Sequence, residues 1–192
     1  MVQQPIPRTA EHEQPYEPRI QQPQTATLNT QSATGDVKNN WLKNKGLHFC
    51  HLNIHYIYPK LDEIKALLHY QTNIDFLCLC ETFLHEEFSD HELKINGYNF
   101  IRKDRQGNGG GLIIYIKSNL SFLHRTDLET NDLENIWIEV KSNKQKSFLI
   151  GYYYRQPSST IDWITKIENT IERAVSSDQK EVILLGDFNF NL

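Results

Sequence analysis

The chain is poor in several features, and each scarcity removes a class of protein. Only three cysteines occur in 192 residues (Cys50, Cys78 and Cys80). An odd number, set within apolar runs, makes no disulfide framework and predicts buried thiols in a reducing, intracellular compartment. A Cys-x-Cys metal site lacks its second pair. No apolar run approaches the roughly 18–20 residues that a membrane span requires, so no membrane partner is expected. The first residues carry Glu11, Glu13 and Glu17 among prolines and glutamines, with no hydrophobic segment. That pattern excludes a secretory signal and argues against an Arg-rich transit peptide. Basic residues are not in excess either: the formal net charge is −4, so whole-chain electrostatics do not announce a nucleic-acid binder. A hydrolase that gathers carboxylates around a divalent cation lowers its own net charge, however, and the metal restores positive potential locally. No basic localisation cluster is evident.

What remains is enough for one domain with a sizeable core. Hydrophobic residues make up 39% and charged residues 23%. Residues 1–40 stand apart: rich in Gln, Pro and Thr, without periodicity, they cannot bury enough apolar surface to offset their ordering entropy and are predicted to be a disordered tail. The domain proper is residues 41–192.

Within it, residues 47–53 read as a short strand. Tyr58-Pro59 then opens a helix with Leu61, Ile64, Leu67 and Leu68 on one side. The compact apolar run at residues 75–80 (D-F-L-C-L-C) reads as a buried strand. A β-α-β start of this kind places two parallel strands side by side. Strands follow at residues 98–103, 111–117, 135–141 and 146–154, with the glycine-rich 107–111 and the polar 142–145 as turns. A second helix is predicted after Ser158, with Ser159 and Asp162 at capping-box spacing and a stripe of Ile161, Ile164, Ile167, Ile171 and Val175. Residues 181–185 form a last strand that runs into Gly186-Asp187-Phe188-Asn189. The fold class is α/β (α+β), with sheets packed on each other and helices outside.

The informative polar residues are those that end apolar strands. A strand buried on both faces has no structural need for a carboxylate or amide at its tip. Asn53, Glu81, and Asp187 with Asn189 occupy three such tips, which converge if these strands are neighbours. Oxygen ligands of this kind suit Mg²⁺, with Mn²⁺ as a substitute. Each also has a plainer reading: Asn53 could cap the turn before Pro59, Glu81 could cap a helix or be solvated, and Gly-Asp-Phe-Asn could be an Asx-turn closing a strand. Arg102, Lys103 and Arg105 could touch a DNA backbone or line a solvated turn. Tyr152, Tyr153 and Tyr154 alternate across a strand, so at least one belongs to the core.

The series N-I (Asn53), E-T (Glu81-Thr82), G-G-G-L-I-I-Y-I (from Gly109), Y-R-Q-P (from Tyr154) and G-D-F-N (from Gly186) resembles the endonuclease/exonuclease/phosphatase superfamily. It looks most like the apurinic-type endonuclease domain of non-LTR (jockey-like and LINE) retrotransposons. The resemblance implies a four-layer α/β/β/α sandwich with mixed sheets, of which this chain would supply part. It also implies Mg²⁺-dependent phosphodiester hydrolysis, DNA as substrate, a reverse-transcriptase domain as partner in the full element, and hence a nuclear location. By position, Glu81 and Asn53 match the metal ligands, with Asn53 also facing the phosphate. Tyr154 matches the tyrosine that approaches the scissile phosphate, and Asp187 the aspartate acting on the water or the leaving group. Asn189 matches the residue that orients it and contacts substrate.

One departure from the pattern bears on activity. The family continues past its G-D-F-N with a second aspartate and a Ser-Asp-His-type motif whose histidine helps to activate the water. None of the eight histidines lies in such a place, although His51 and His55 share parity with Asn53 if that strand extends. The 192-residue chain by itself is therefore expected to be inactive, with an unpaired last strand and marginal stability. Phosphatase or abasic-site nuclease activity, and a non-catalytic remnant, are the alternatives.

Overall fold

A computed structural model describes residues 45–107, 109–141, 146–177 and 181–190. The predicted tail at 1–40 and the turn at 142–145 lie outside the described residues.

Strand β1 (Phe49–Asn53) leads through a 3-10 turn at Tyr58–Lys60 into helix α1 (Leu61–Tyr70) and strand β2 (Phe76–Cys80). A four-residue helix α2 (Asp90–Leu93) precedes β3 (Tyr98–Lys103) and β4 (Leu112–Lys117). These strands make one mixed sheet in the order β1-β2-β4-β3, with β1 and β2 parallel and the other pairs antiparallel. The second sheet runs β5-β6-β7-β8, from β5 (Ser121–His124), β6 (Glu134–Lys141), β7 (Phe148–Tyr154) and β8 (Val182–Asp187). Its last pair, β7 and β8, is parallel and is bridged by helix α3 (Asp162–Ser176).

Strand alternation explains the layering, because successive side chains point to opposite faces of a sheet. On β2 and β4, Phe76, Cys78, Cys80, Leu112, Ile114 and Ile116 face the other sheet. Leu77, Leu79, Ile113 and Tyr115 face α1 and the helix-side core. On β6 and β7, Ile136, Ile138, Ile150 and Tyr152 turn inward, while Trp137, Leu149 and Tyr153 turn toward α3. The result is the expected α/β/β/α order of layers. All three tyrosines of β7 are buried, and the thiols of Cys78 and Cys80 are core groups as expected. No helix among the described residues is long and apolar enough to cross a membrane.

Several local expectations change. Leu67 is half-exposed, and α1 is held by Leu61, Ile64 and Leu68. Helix α3 has Ile161 at its N-cap position without a side-chain cap bond, so the Ser159–Asp162 box does not form. Its buried face is Trp163, Ile167, Thr170 and Ala174, while Ile161 and Val175 are exposed. Both stripes have helical spacing, and shape decides between them. Trp163 meets the rings of Tyr153 and Phe188, and small Ala174 and Thr170 allow close approach. Thr170 satisfies its hydroxyl on Ile167 and Tyr153.

Among the described residues, strand β8 pairs only with β7, and β1 only with β2. Leu47, Leu52 and Leu184, on or beside these edges, are 41%, 48% and 38% exposed. Open edges flanked by leucine invite strand pairing with another chain. The 192-residue chain is thus expected to self-associate in size-exclusion chromatography and to melt at modest temperature. Reversible, cooperative melting of a monomer at high temperature would contradict this.

Candidate functional site

Parallel pairing in each sheet brings the predicted tips together. Asn53 registers with Cys80, the residue before Glu81, and Tyr154 registers with Asp187. The strands do not all share one sheet edge. Asn53 and Glu81 end strands of the first sheet, and Tyr154 and Asp187 end strands of the second, so the corner is built across the sandwich.

The four side chains form one hydrogen-bonded group. The Tyr154 hydroxyl donates to Glu81 Oε1 at 2.7 Å. Asn53 Nδ2 donates to the same oxygen at 2.9 Å and to Asp187 Oδ2 at 3.2 Å. Asn53 Oδ1 accepts from the His55 backbone N–H at 3.2 Å. His55 Nδ1 meets the other Glu81 oxygen at 3.1 Å. His55 itself lies past the end of β1, so it reaches the site from a loop and not by strand parity. His51 sits on β1 edge-on to Tyr152, with Nε2 3.7 Å from Cys80 Sγ.

Asn189 is placed differently from expectation. Its amide nitrogen donates to the Arg155 carbonyl at 2.7 Å, and Arg155 Nη1 donates back to the Asn189 carbonyl at 2.8 Å. These bonds pin the turn after β8 to the segment after β7.

Burial pushes the Glu81 carboxyl up, but bonds from Tyr154, Asn53 and His55 outweigh it and hold the group below the ordinary glutamate range. The Tyr154 phenol is pushed well above its usual value, by burial first and then by its bond to Glu81 and the Glu81 charge. It therefore stays a proton donor at neutral pH. Cys80, at the end of β2, is pushed up to about 12 by burial and by the charge of Asp187.

Backbone strain concentrates at the same corner. All five non-glycine residues with positive φ among the described residues follow β1, β2 or β8: His55, Tyr56, Glu81, Phe83 and Asn189. Each such residue costs on the order of 1–3 kcal/mol and persists only where its surroundings over-determine it. Here the loops lock each other. Tyr56 N–H donates to the Glu81 carbonyl at 2.8 Å and Ile57 N–H to that of Thr82 at 3.0 Å. Lys60 Nζ grips the Ile54 and His55 carbonyls.

The donor set fits a hard divalent cation. Two carboxylates converge on one neutral amide nitrogen, and Mg²⁺ is held by one or two carboxylates together with waters and substrate oxygens. No group of three His, Cys, Asp or Glu side chains that could hold an ion occurs among the described residues. A two-carboxylate corner suits Mg²⁺, which retains its waters, better than it suits Zn²⁺, which takes nitrogen and sulfur ligands.

The three basic residues read as DNA-contact or solvated-turn candidates are part-buried and paired within the chain. Arg102 is bound to the Phe88 carbonyl, Asp90 and Asp104. Lys103 is bound to Glu129, Asn135 and the Thr130 carbonyl. Arg105 is paired with Glu134. Nothing in the sequence singled out Glu134; its position opposite Tyr154 on β6 is the only clue.

Comparison with known proteins follows the same lines. The endonuclease domain of TRAS1, a telomere-specific non-LTR retrotransposon, superposes with a TM-score of 0.57 at 16% identity, covering 77% of this chain and 61% of that one. The Xenopus laevis APE2 catalytic domain gives 0.52 at 16% identity, with 74% and 58% covered. The 3′ phosphatase NExo from Neisseria, bound to a product DNA hairpin, gives 0.51 at 16% identity, with 76% and 58% covered. The chain thus spans about three-fifths of the length of these structures, and at such identity the likeness is one of fold. Among curated proteins none matches. A family model does match, from residue 50 to residue 192. Because that match takes in the strand ends whose side chains meet at this corner, the chain belongs to the Endonuclease/Exonuclease/phosphatase family.

Proposed function

We propose that the chain is part of a Mg²⁺-dependent phosphodiesterase that nicks DNA for a non-LTR retrotransposon, acting in the nucleus beside a reverse-transcriptase domain. The observation that carries this reading is the bonded series Tyr154–Glu81–Asn53–Asp187 across the two sheets. Glu81 and Asn53 would hold Mg²⁺, which when bound neutralises charge developing on a phosphoryl oxygen. Tyr154, kept protonated, would turn its single O–H from Glu81 to the phosphate when substrate is bound. Asp187 accepts a proton from the attacking water or orients it. The Asn53 amide offers a donor to a non-bridging oxygen. Asn189 holds the turn that carries Asp187, and its contact with substrate would follow from that placement.

The test uses Mn²⁺ binding and plasmid nicking. Glu81→Gln is expected to weaken Mn²⁺ binding by tenfold or more, since it removes a charged ligand oxygen, and Asp187→Asn to weaken it less, since it removes a negative charge beside the ion. Unchanged affinity in both would sink the metal assignment. The 192-residue chain on its own, which spans about three-fifths of the length of the structures it resembles, is expected to give no measurable Mg²⁺-dependent nicking of supercoiled plasmid. Nicking that disappears in Asp187→Ala would overturn that expectation. Likeness to the 3′ phosphatase NExo and to the APE2 domain supports a second reading, phosphatase or abasic-site nuclease. Preferential binding of 3′-phosphate or abasic oligonucleotides over intact duplex would favour it.

A further inference from the structure

We infer that the Arg105–Glu134 ion pair is a positioning device for Glu81 and Tyr154, a role that rests on the metal reading above. The pair joins three segments that sequence keeps far apart. Glu134 Oε1 takes both Arg105 Nε, at 2.7 Å, and Nη2, while Glu134 Oε2 accepts the Gly111 N–H at 2.6 Å. The Gln156 side-chain amide also faces the guanidinium.

Each segment held by the pair touches the metal corner. Gly109, Gly110 and Gly111 all have positive φ, at 76°, 69° and 86°, and a run of three such residues has no side chains to fix it. Arg105 packs so closely on Gly110 that a Cβ there would overlap the guanidinium. The fixed turn then receives the segment after β2. Phe83 N–H donates to the Gly110 carbonyl at 2.8 Å and Thr82 N–H to the Gly111 carbonyl at 3.3 Å. Those are the two residues that follow Glu81, itself at φ 53°. On the other side, the Arg105 guanidinium lies over the Tyr154 ring, 5.8 Å from its centroid, and Tyr154 and Glu134 are cross-strand partners. One ion pair thus braces both ends of the Tyr154–Glu81 bond without belonging to it.

The geometry needs arginine. A planar fork can place two N–H groups on one carboxylate while its face covers a ring, whereas an ammonium supplies charge alone. Residues that orient a metal ligand usually change metal affinity by about ten- to a hundredfold when lost.

The test uses the 192-residue chain with Mn²⁺ as probe, its binding read by loss of the free-ion EPR signal. Amide exchange at Thr82 and Phe83 is measured without metal, and thermal melting is recorded for each variant. Arg105→Lys is expected to bind Mn²⁺ roughly tenfold more weakly and to exchange faster at Thr82 and Phe83, with β4 amides still protected. Glu134→Gln, which keeps the volume and an acceptor for Gly111, should behave alike and decides the matter if the lysine variant does not fold. Wild-type affinity in both variants, when Glu81→Gln has weakened binding, overturns the positioning role. Wild-type affinity in Glu81→Gln overturns instead the metal reading beneath it.

Discussion

Gly186→Ala is expected to lower stability by roughly 3 kcal/mol, measured as a fall in the urea midpoint at unchanged m-value, and to weaken Mn²⁺ binding together with it. Gly186 has φ 156° and registers with Tyr153 of β7. A Cβ placed there would overlap the Tyr153 carbonyl oxygen and lie 3.0 Å from its carbon. The obstacle is backbone in a central strand, which cannot swing aside as a side chain can. Two costs add: overpacking of about 1–3 kcal/mol and about 1–3 kcal/mol for a backbone region that is nearly glycine-only. Relief comes only by moving β8 away from β7, and β8 is free to move because no strand lies on its other side among the described residues. Asp187 is the next residue, so the carboxylate moves with the strand. A Gly186→Ala chain with wild-type midpoint and wild-type Mn²⁺ affinity would show that β8 is not seated as described.

Trp137→Ala should cost about 3–5 kcal/mol, the usual range for emptying a large aromatic site, and is expected to leave little folded protein at 37 °C given the 5–15 kcal/mol typical of domains. Trp137 is fully buried between β6 and α3. Its Nε1 donates to the Tyr153 hydroxyl at 2.9 Å, and that hydroxyl also meets Thr170 Oγ1. The ring lies over Gly151, its cross-strand partner, with ring carbons 2.7 and 2.8 Å from where a Cβ would stand. Removing the indole therefore leaves a void beside a residue that has no side chain to fill it. Trp137→Phe keeps much of the volume and loses the N–H, so a smaller loss is expected. Equal losses for the two variants would mean that the hydrogen bond, and not the cavity, carries the energy.

Much of the domain was legible along the chain. Runs such as F-L-C-L-C and L-I-I-Y-I are apolar at every position, and only a strand covered on both faces uses such a run in so few residues. Glu81 and Asp187 stood out because each ends a run of that kind. The α3 stripe was not legible, since two faces with helical spacing compete and packing against Tyr153 and Phe188 selects the one with Trp163, Thr170 and Ala174. Strand β5 was missed as well. Its four residues, with Phe122 facing the inter-sheet core, are too few to show a period. Asn189 carried a motif signal, but the partner of its amide, the Arg155 carbonyl, is set by the meeting of two loops.

The sequence by itself determined the layers and the named strand tips, because burial on two faces, parity and motif order are local properties of the chain. Only the tertiary structure decided that the corner spans both sheets and that Arg105 is paired with Glu134. It also decided that five strained residues collect around one corner. The reason is physical. Alternation and spacing are written every two to four residues, whereas a hydrogen bond between Asn53 and Asp187 joins positions 134 residues apart. Such a bond exists only when the two sheets pack face to face.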